Sequence, residues 1–173
     1  QPDIITFGKI IGGGMPVGAY ASSHAIMNHI APLGKVYQAG TLSGNPVAMS
    51  AGIAQLKACL HTDFYHDLHR KRERLMDGIK QHMATKGYEI TIYNIGSIFW
   101  FAFSNMSHLT RADQINSGKM SLFAKVYHHL LENGIYFGPS GYEVGFVSAA
   151  HTEQDIDKTI VALNHAFDTV LSG

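Results

Sequence analysis

In the run Thr6-Phe7-Gly8-Lys9-Ile10-Ile11-Gly12-Gly13-Gly14-Met15-Pro16-Val17-Gly18-Ala19-Tyr20, a lysine stands between an apolar stretch and a cluster of glycines. Ile4-Ile5-Thr6-Phe7 reads as a strand, so Lys9 follows directly on a strand end. A lysine that works as a covalent nucleophile must be held rigidly, with small neighbours so that a planar partner can come close. Glycine supplies the tight backbone geometry and the close approach. Two nucleotide-binding readings of these glycines fail on spacing. A P-loop needs Ser or Thr after Gly-Lys, and Ile10 follows here; Gly12, Gly14 and Gly18 miss the G-x-G-x-x-G fingerprint by one residue.

Outward from this run, Val17 to Ala21 reads as a short strand, and Ser23 is placed to cap a short helix through Ile30. The loop Gln38-Ala39-Gly40-Thr41-Leu42-Ser43-Gly44-Asn45-Pro46 follows. Asn45 before Pro46 is a helix start: an N-cap acceptor, then a proline in the first turn. Gly40-Thr41 in front of that start is a candidate anion site, because a hydroxyl beside free backbone N–H groups suits a phosphate. Helical periodicity runs from Pro46 to about Met83 with a break near His61-Thr62-Asp63. Ile53, Leu56 and Leu60 form one apolar stripe, and Phe64, Leu68, Leu75 and Ile79 another. Arg70-Lys71-Arg72-Glu73-Arg74 reads as a solvated face of the second helix.

Beyond Lys86-Gly87 the texture changes. Tyr88 to Tyr93 and Ser97 to Phe103 read as strands, and Asn105 to Gly118 as a polar loop. Lys119 to Glu132 is helical and stops at Asn133-Gly134. Gly145 to Ala149 is a short strand. Thr152, with Asp155 three residues on, opens a last helix whose stripe is Ile156, Ile160, Leu163, Phe167 and Val170. The chain therefore reads as three stretches. Residues 1–45 are the end of an α/β domain, 46–84 a connecting helical segment, and 85–173 a small α+β domain.

Composition narrows the partners. Thirteen basic and 13 acidic residues cancel, which leaves no basic field for nucleic acid. The apolar runs are too short to span a membrane. Cys59 is the sole cysteine, so no internal disulfide forms and a reducing, intracellular setting is expected. Eleven histidines include His66 and His69 at helical spacing and the adjacent His128-His129. None brings a matched acidic or cysteine set, so no metal site is expected. Glu143, between a Pro/Gly turn and an apolar strand, suits either a site carboxylate or a salt-bridge partner. Trp100, flanked by Phe99 and Phe101, reads as core or interface. The chain starts without methionine and almost at once in a strand, which suggests a fragment.

The Thr6–Tyr20 run resembles the cofactor-lysine segment of class III aminotransferases, which depend on pyridoxal phosphate (PLP). Tyr37 to Pro46 is similar to the corresponding loop of the glutamate-1-semialdehyde aminomutases in that class. Gly138-Pro139-Ser140-Gly141-Tyr142-Glu143-Val144-Gly145-Phe146-Val147-Ser148, running on to Asp157, points the same way. Two departures stand out: Ala21-Ser22-Ser23 where those enzymes more often have Gly-Gly-Arg, and Trp100, bulkier than usual in its strand.

The resemblance implies the end of a PLP-dependent transferase large domain joined to a small C-terminal domain. It implies that Lys9 holds PLP covalently and, buried beside it, moves the proton during catalysis. Gly40 and Thr41 would bind the PLP phosphate of the neighbouring subunit in a homodimer, and Glu143 would lie by the substrate pocket. The implied reaction moves the amino group of glutamate-1-semialdehyde to give 5-aminolevulinate for tetrapyrrole synthesis, in the cytoplasm. The ring-nitrogen aspartate, the stacking aromatic, a phosphate-binding turn and a substrate arginine would precede Lys9 in a longer parent, so the isolated chain is expected to be inactive. The alternatives are another class III aminotransferase, which needs an external amino acceptor, and a non-catalytic module that keeps the fold.

Overall fold

A computed structural model describes residues 2–104, 106 and 108–172. Of the polar loop expected at Asn105–Gly118, Asn105 and Ser107 lie outside the described residues. The chain divides into two compact units, Gln1–Phe64 and Tyr65–Gly173.

In the first unit, β1 (Ile4–Phe7) pairs antiparallel with β2 (Ala19–Ser22), with Phe7 opposite Ala19. The 3-10 turn Lys9–Gly12 lies between them. Helix α1 (His24–Met27) is a single turn, shorter than the Ser23–Ile30 span expected. Helix α2 (Pro46–Cys59) starts as its sequence dictates: the Asn45 side chain accepts from the N–H groups of Val47 (3.0 Å) and Ala48 (3.2 Å). Its expected apolar stripe is a correction. Ile53 (55%), Leu56 (44%) and Leu60 (84%) are exposed, and Ala48, Gly52 and Cys59 are buried instead. The helix lies so close to the Lys9–Gly12 turn that only small residues fit the contact, and the larger stripe faces away.

The second unit holds most of the buried apolar residues. Helix α3 (Phe64–Lys86) buries Leu68, Leu75, Met76, Ile79 and Met83. Strands β3 (Thr91–Ile95), β4 (Ile98–Ala102) and β5 (Gly145–Phe146) form an antiparallel sheet in that order. β3 starts later than Tyr88 because the Tyr88 N–H is drawn back to Met83 O (3.2 Å) in the helix exit. β5 stops early because the Ser148 N–H turns to His151 Nδ1 (3.1 Å). Side chains alternate along β4 as the pleat demands. Phe99 and Phe101 face the core, where Phe101 meets Phe167 edge-on at 5.8 Å. On the other face Trp100 lies 5.7 Å from Tyr93.

Helix α4 (Met120–Glu132) ends where Gly134 takes a left-handed φ of 74° and the Ile135 N–H reaches Leu130 O (2.9 Å). Helix α5 (Glu153–Leu171) opens with the capping box expected of Thr152 and Asp155 (2.7 and 3.2 Å). The basic run of α3 divides in two. Arg70 pairs with Glu153, and Arg74 with Asp157 at 2.7 Å, across to α5. Arg72 departs from the solvated-face expectation. It is 6% exposed and donates to Gly96 O (2.9 Å) and Asn94 Oδ1 (2.6 Å), pinning the β3–β4 turn to α3. Among the described residues no helix is long and apolar enough to cross a membrane.

Candidate active site

Lys9 sits two residues beyond the end of β1, at the first position of its 3-10 turn. Its φ is 53°, and among the described residues it is the sole non-glycine in left-handed backbone. That conformation costs a residue with a side chain about 1–2 kcal/mol, and such strain persists only where surrounding packing imposes it. The turn is closed by the Ile11 N–H to Gly8 O (3.4 Å) and the Gly13 N–H to Ile10 O (3.1 Å). Lys9, Ile10, Gly13, Gly14, Met15 and Gln55 line a depression of about 450 Å³. A Cβ built on Gly14 meets nothing within 4 Å, so this side of the turn leaves room for a flat group. Lys9 is exposed in this chain.

Gly40 and Thr41 are exposed in the loop before α2. The Ser43 N–H donates to Gly40 O (2.9 Å) and the Asn45 N–H to Leu42 O (3.1 Å), which folds the loop into successive turns. Lys9 and Thr41 fall in the same unit, and Thr41 does not line the Lys9 depression.

Glu143 belongs to the other unit. Its N–H donates to Ser140 O (3.0 Å) and closes the turn Ser140–Glu143. The carboxylate folds over Gly138 so closely that a Cβ there would overlap it. Trp100 Nε1 donates to Gly141 O (2.8 Å) and ties the turn to β4. Trp100 therefore anchors the segment that carries Glu143. Its flanking aromatics gave no hint of that bond.

Gln55 escaped sequence reasoning. It occupies an ordinary helical position, and only the packing of α2 on the Lys9 turn brings it to the depression. Several histidines pair with specific side chains: His82 with Asp168 (2.8 Å), His129 with His165 (2.8 Å), and His69 with Arg72 (2.6 Å). No group of three or more His, Cys, Asp or Glu among the described residues is placed to hold a metal ion.

An accessible primary amine on a strained, glycine-rich turn behind a strand can chemically attack a planar carbonyl compound. The chain belongs to the class III aminotransferase family, which it matches over residues 1–167. Its mixed α/β structure resembles part of the PLP-dependent aminotransferase fold. An omega-transaminase from Sphaerobacter thermophilus matches all of this chain with a TM-score of 0.84 and 24% identity. A transaminase solved with PLP bound matches 99% of it, with a TM-score of 0.80 and 28% identity. A glutamate-1-semialdehyde-aminomutase from Pseudomonas aeruginosa PAO1 also matches 99%, with a TM-score of 0.79 and 21% identity. The chain spans about 40% of the length of these structures.

Proposed function

We propose that Lys9 is the lysine that anchors PLP, in an enzyme that moves an amino group within its substrate. The observation that carries this reading is the left-handed, exposed Lys9 on its glycine turn, in a chain of this family. The residues present fit the covalent part of a PLP site: a primary amine, a depression beside it, and glycines that leave space for a ring. PLP, when bound, supplies an electron sink for carbanion chemistry beside the transferred nitrogen. Lys9 Nζ would hold the cofactor and, once freed from it, would act as the base that takes a proton from the substrate carbon and returns it. The Thr41 hydroxyl and the Gly40 backbone bind the phosphate, contributed to the neighbouring subunit of a homodimer. Glu143 stands by the substrate and favours one orientation of it.

The particular reaction we propose is conversion of glutamate-1-semialdehyde to 5-aminolevulinate. The Tyr37–Pro46 and Gly138–Ser148 segments support it through their likeness to the aminomutases. A second reading, transfer to an external keto acceptor, is supported by the likeness of the chain to transaminases, one of them 28% identical. One assay separates them. Glutamate-1-semialdehyde given to the full-length protein with PLP and no added amino donor or acceptor is consumed to 5-aminolevulinate under the first reading. Turnover that requires an added amino donor or keto acid establishes the second.

A further inference from the structure

We infer that Gly52, on α2, is a positioning residue for Lys9: its backbone contact with the Ile11 carbonyl holds the lysine in left-handed backbone. This rests on Lys9 being the reactive amine. The contact is reciprocal. A Cβ on Gly52 would overlap Ile11 O and lie 3.4 Å from the Ile11 carbonyl carbon. A Cβ on Gly13 would lie 2.6 Å from the Ala51 carbonyl carbon and 3.2 Å from Gly52 N. Every atom met is backbone, and backbone cannot swing aside as a side chain can. Gly12, between them, is buried, with Val17 Cβ 3.2 Å from where its own Cβ would be. The helix therefore fixes the Ile11 carbonyl two residues beyond Lys9. The turn's hydrogen bonds, Ile11 N–H to Gly8 O and Gly13 N–H to Ile10 O, pass that constraint back to Lys9. A residue with a Cβ stays at φ 53° only when held there. Gln55, one turn further along α2, reaches the Lys9 depression because of the same close approach.

The test is a double-mutant cycle on the full-length protein without cofactor, read by thermal unfolding, so it does not depend on the reaction assigned. Glycine is at ease in left-handed backbone and alanine is not. Lys9→Gly is therefore expected to melt higher than Lys9→Ala when α2 is intact. With Gly52→Ala added, the turn is pushed off the helix and the gap closes. With Lys9 retained, Gly52→Ala slows borohydride-trapped capture of PLP by on the order of tenfold or more, as misplacement of a reacting group does. A missing gap in the wild-type background overturns the inference, as does an undiminished gap beside Gly52→Ala. Should Gly52→Ala fail to fold, hydrogen exchange of Lys9→Gly and Lys9→Ala replaces it. Greater protection of the Ile11 and Gly13 amides in Lys9→Gly, shared by the amides of α2, supports the coupling, and equal protection overturns it. A cycle that succeeds without PLP capture would retain the positioning and remove the proposed function.

Discussion

At the scale of single residues, Lys9 and Arg72 show opposite limits of sequence reading. The setting of Lys9 was legible, because an apolar run before it and clustered glycines after it are local signals of a strand end and a tight turn. Its left-handed φ was not, since that comes from a helix some 40 residues later in the chain. Arg72 was lost inside a basic run. Charge patterning reports average exposure and cannot single out the one guanidinium that a hairpin turn folds over. Arg72 holds Gly96 O and Asn94 Oδ1, contacts His69 Nδ1, and pairs with Glu73. A planar fork serves several acceptors in fixed directions, and an ammonium does not. Arg72→Lys is expected to lose about 0.5–1.5 kcal/mol for each hydrogen bond given up, because an ammonium cannot serve Gly96 O and Asn94 Oδ1 together. Arg72→Ala should lose about as much or more. Urea unfolding of each variant checks this, with the lowered midpoint as the expected sign.

At the scale of elements, helix starts and stops were the most legible feature. The Asn45-Pro46 start, the Thr152–Asp155 box and the Gly134 stop all rest on local chemistry that needs no tertiary context. Packing faces were legible where large residues meet. The Leu68–Leu75–Ile79 stripe of α3 and the Ile156–Leu163–Phe167 stripe of α5 are both buried. The same rule misplaced α2, because a helix that packs through glycine and alanine hides its contact face from any hydrophobicity pattern. The α3–α5 pairing also carries a pH signature. Asp168 on α5 accepts from Tyr88 Oη (2.7 Å) and His82 Nε2 (2.8 Å). The Tyr88 hydroxyl first, and His82 next, hold its carboxyl below the usual carboxylate range. A depressed carboxyl contributes stability that is complete above its unfolded value, near about 4. That contribution is lost as pH falls through the lower folded value. Asp168→Asn should therefore lower the urea midpoint at neutral pH, and the difference from wild type should shrink as the pH is taken into the acid range. A pH-independent difference would show that Asp168 acts by shape alone.

At the scale of the whole molecule, the two units differ in how much they bury. The core cluster lies wholly within Tyr65–Gly173, from Leu75 to Phe167. The first unit exposes Ile4, Ile5, Phe7, Leu33 and Tyr37 along with the α2 stripe. Its sheet is a single antiparallel pair, marginal by itself in water. Hydrogen exchange on this chain is expected to show slow amides in α3, β4 and α5, and fast ones in β1, β2 and α1. Uniform protection across both units would contradict that division. The mixed α/β character was legible from alternating strand and helix signals. The extent of exposed apolar surface in residues 1–64 was not, because apolar content tells nothing of what covers it.

The decisive measurement for Lys9 is the visible absorbance spectrum of the full-length protein reconstituted with PLP, with Lys9 intact and as Lys9→Ala. A PLP anchor at Lys9 predicts a cofactor band in the wild type that borohydride bleaches while fixing the cofactor's mass onto the Lys9 peptide, and no such adduct in Lys9→Ala. A wild type that takes up no PLP, or an adduct mapped to another lysine, would contradict it.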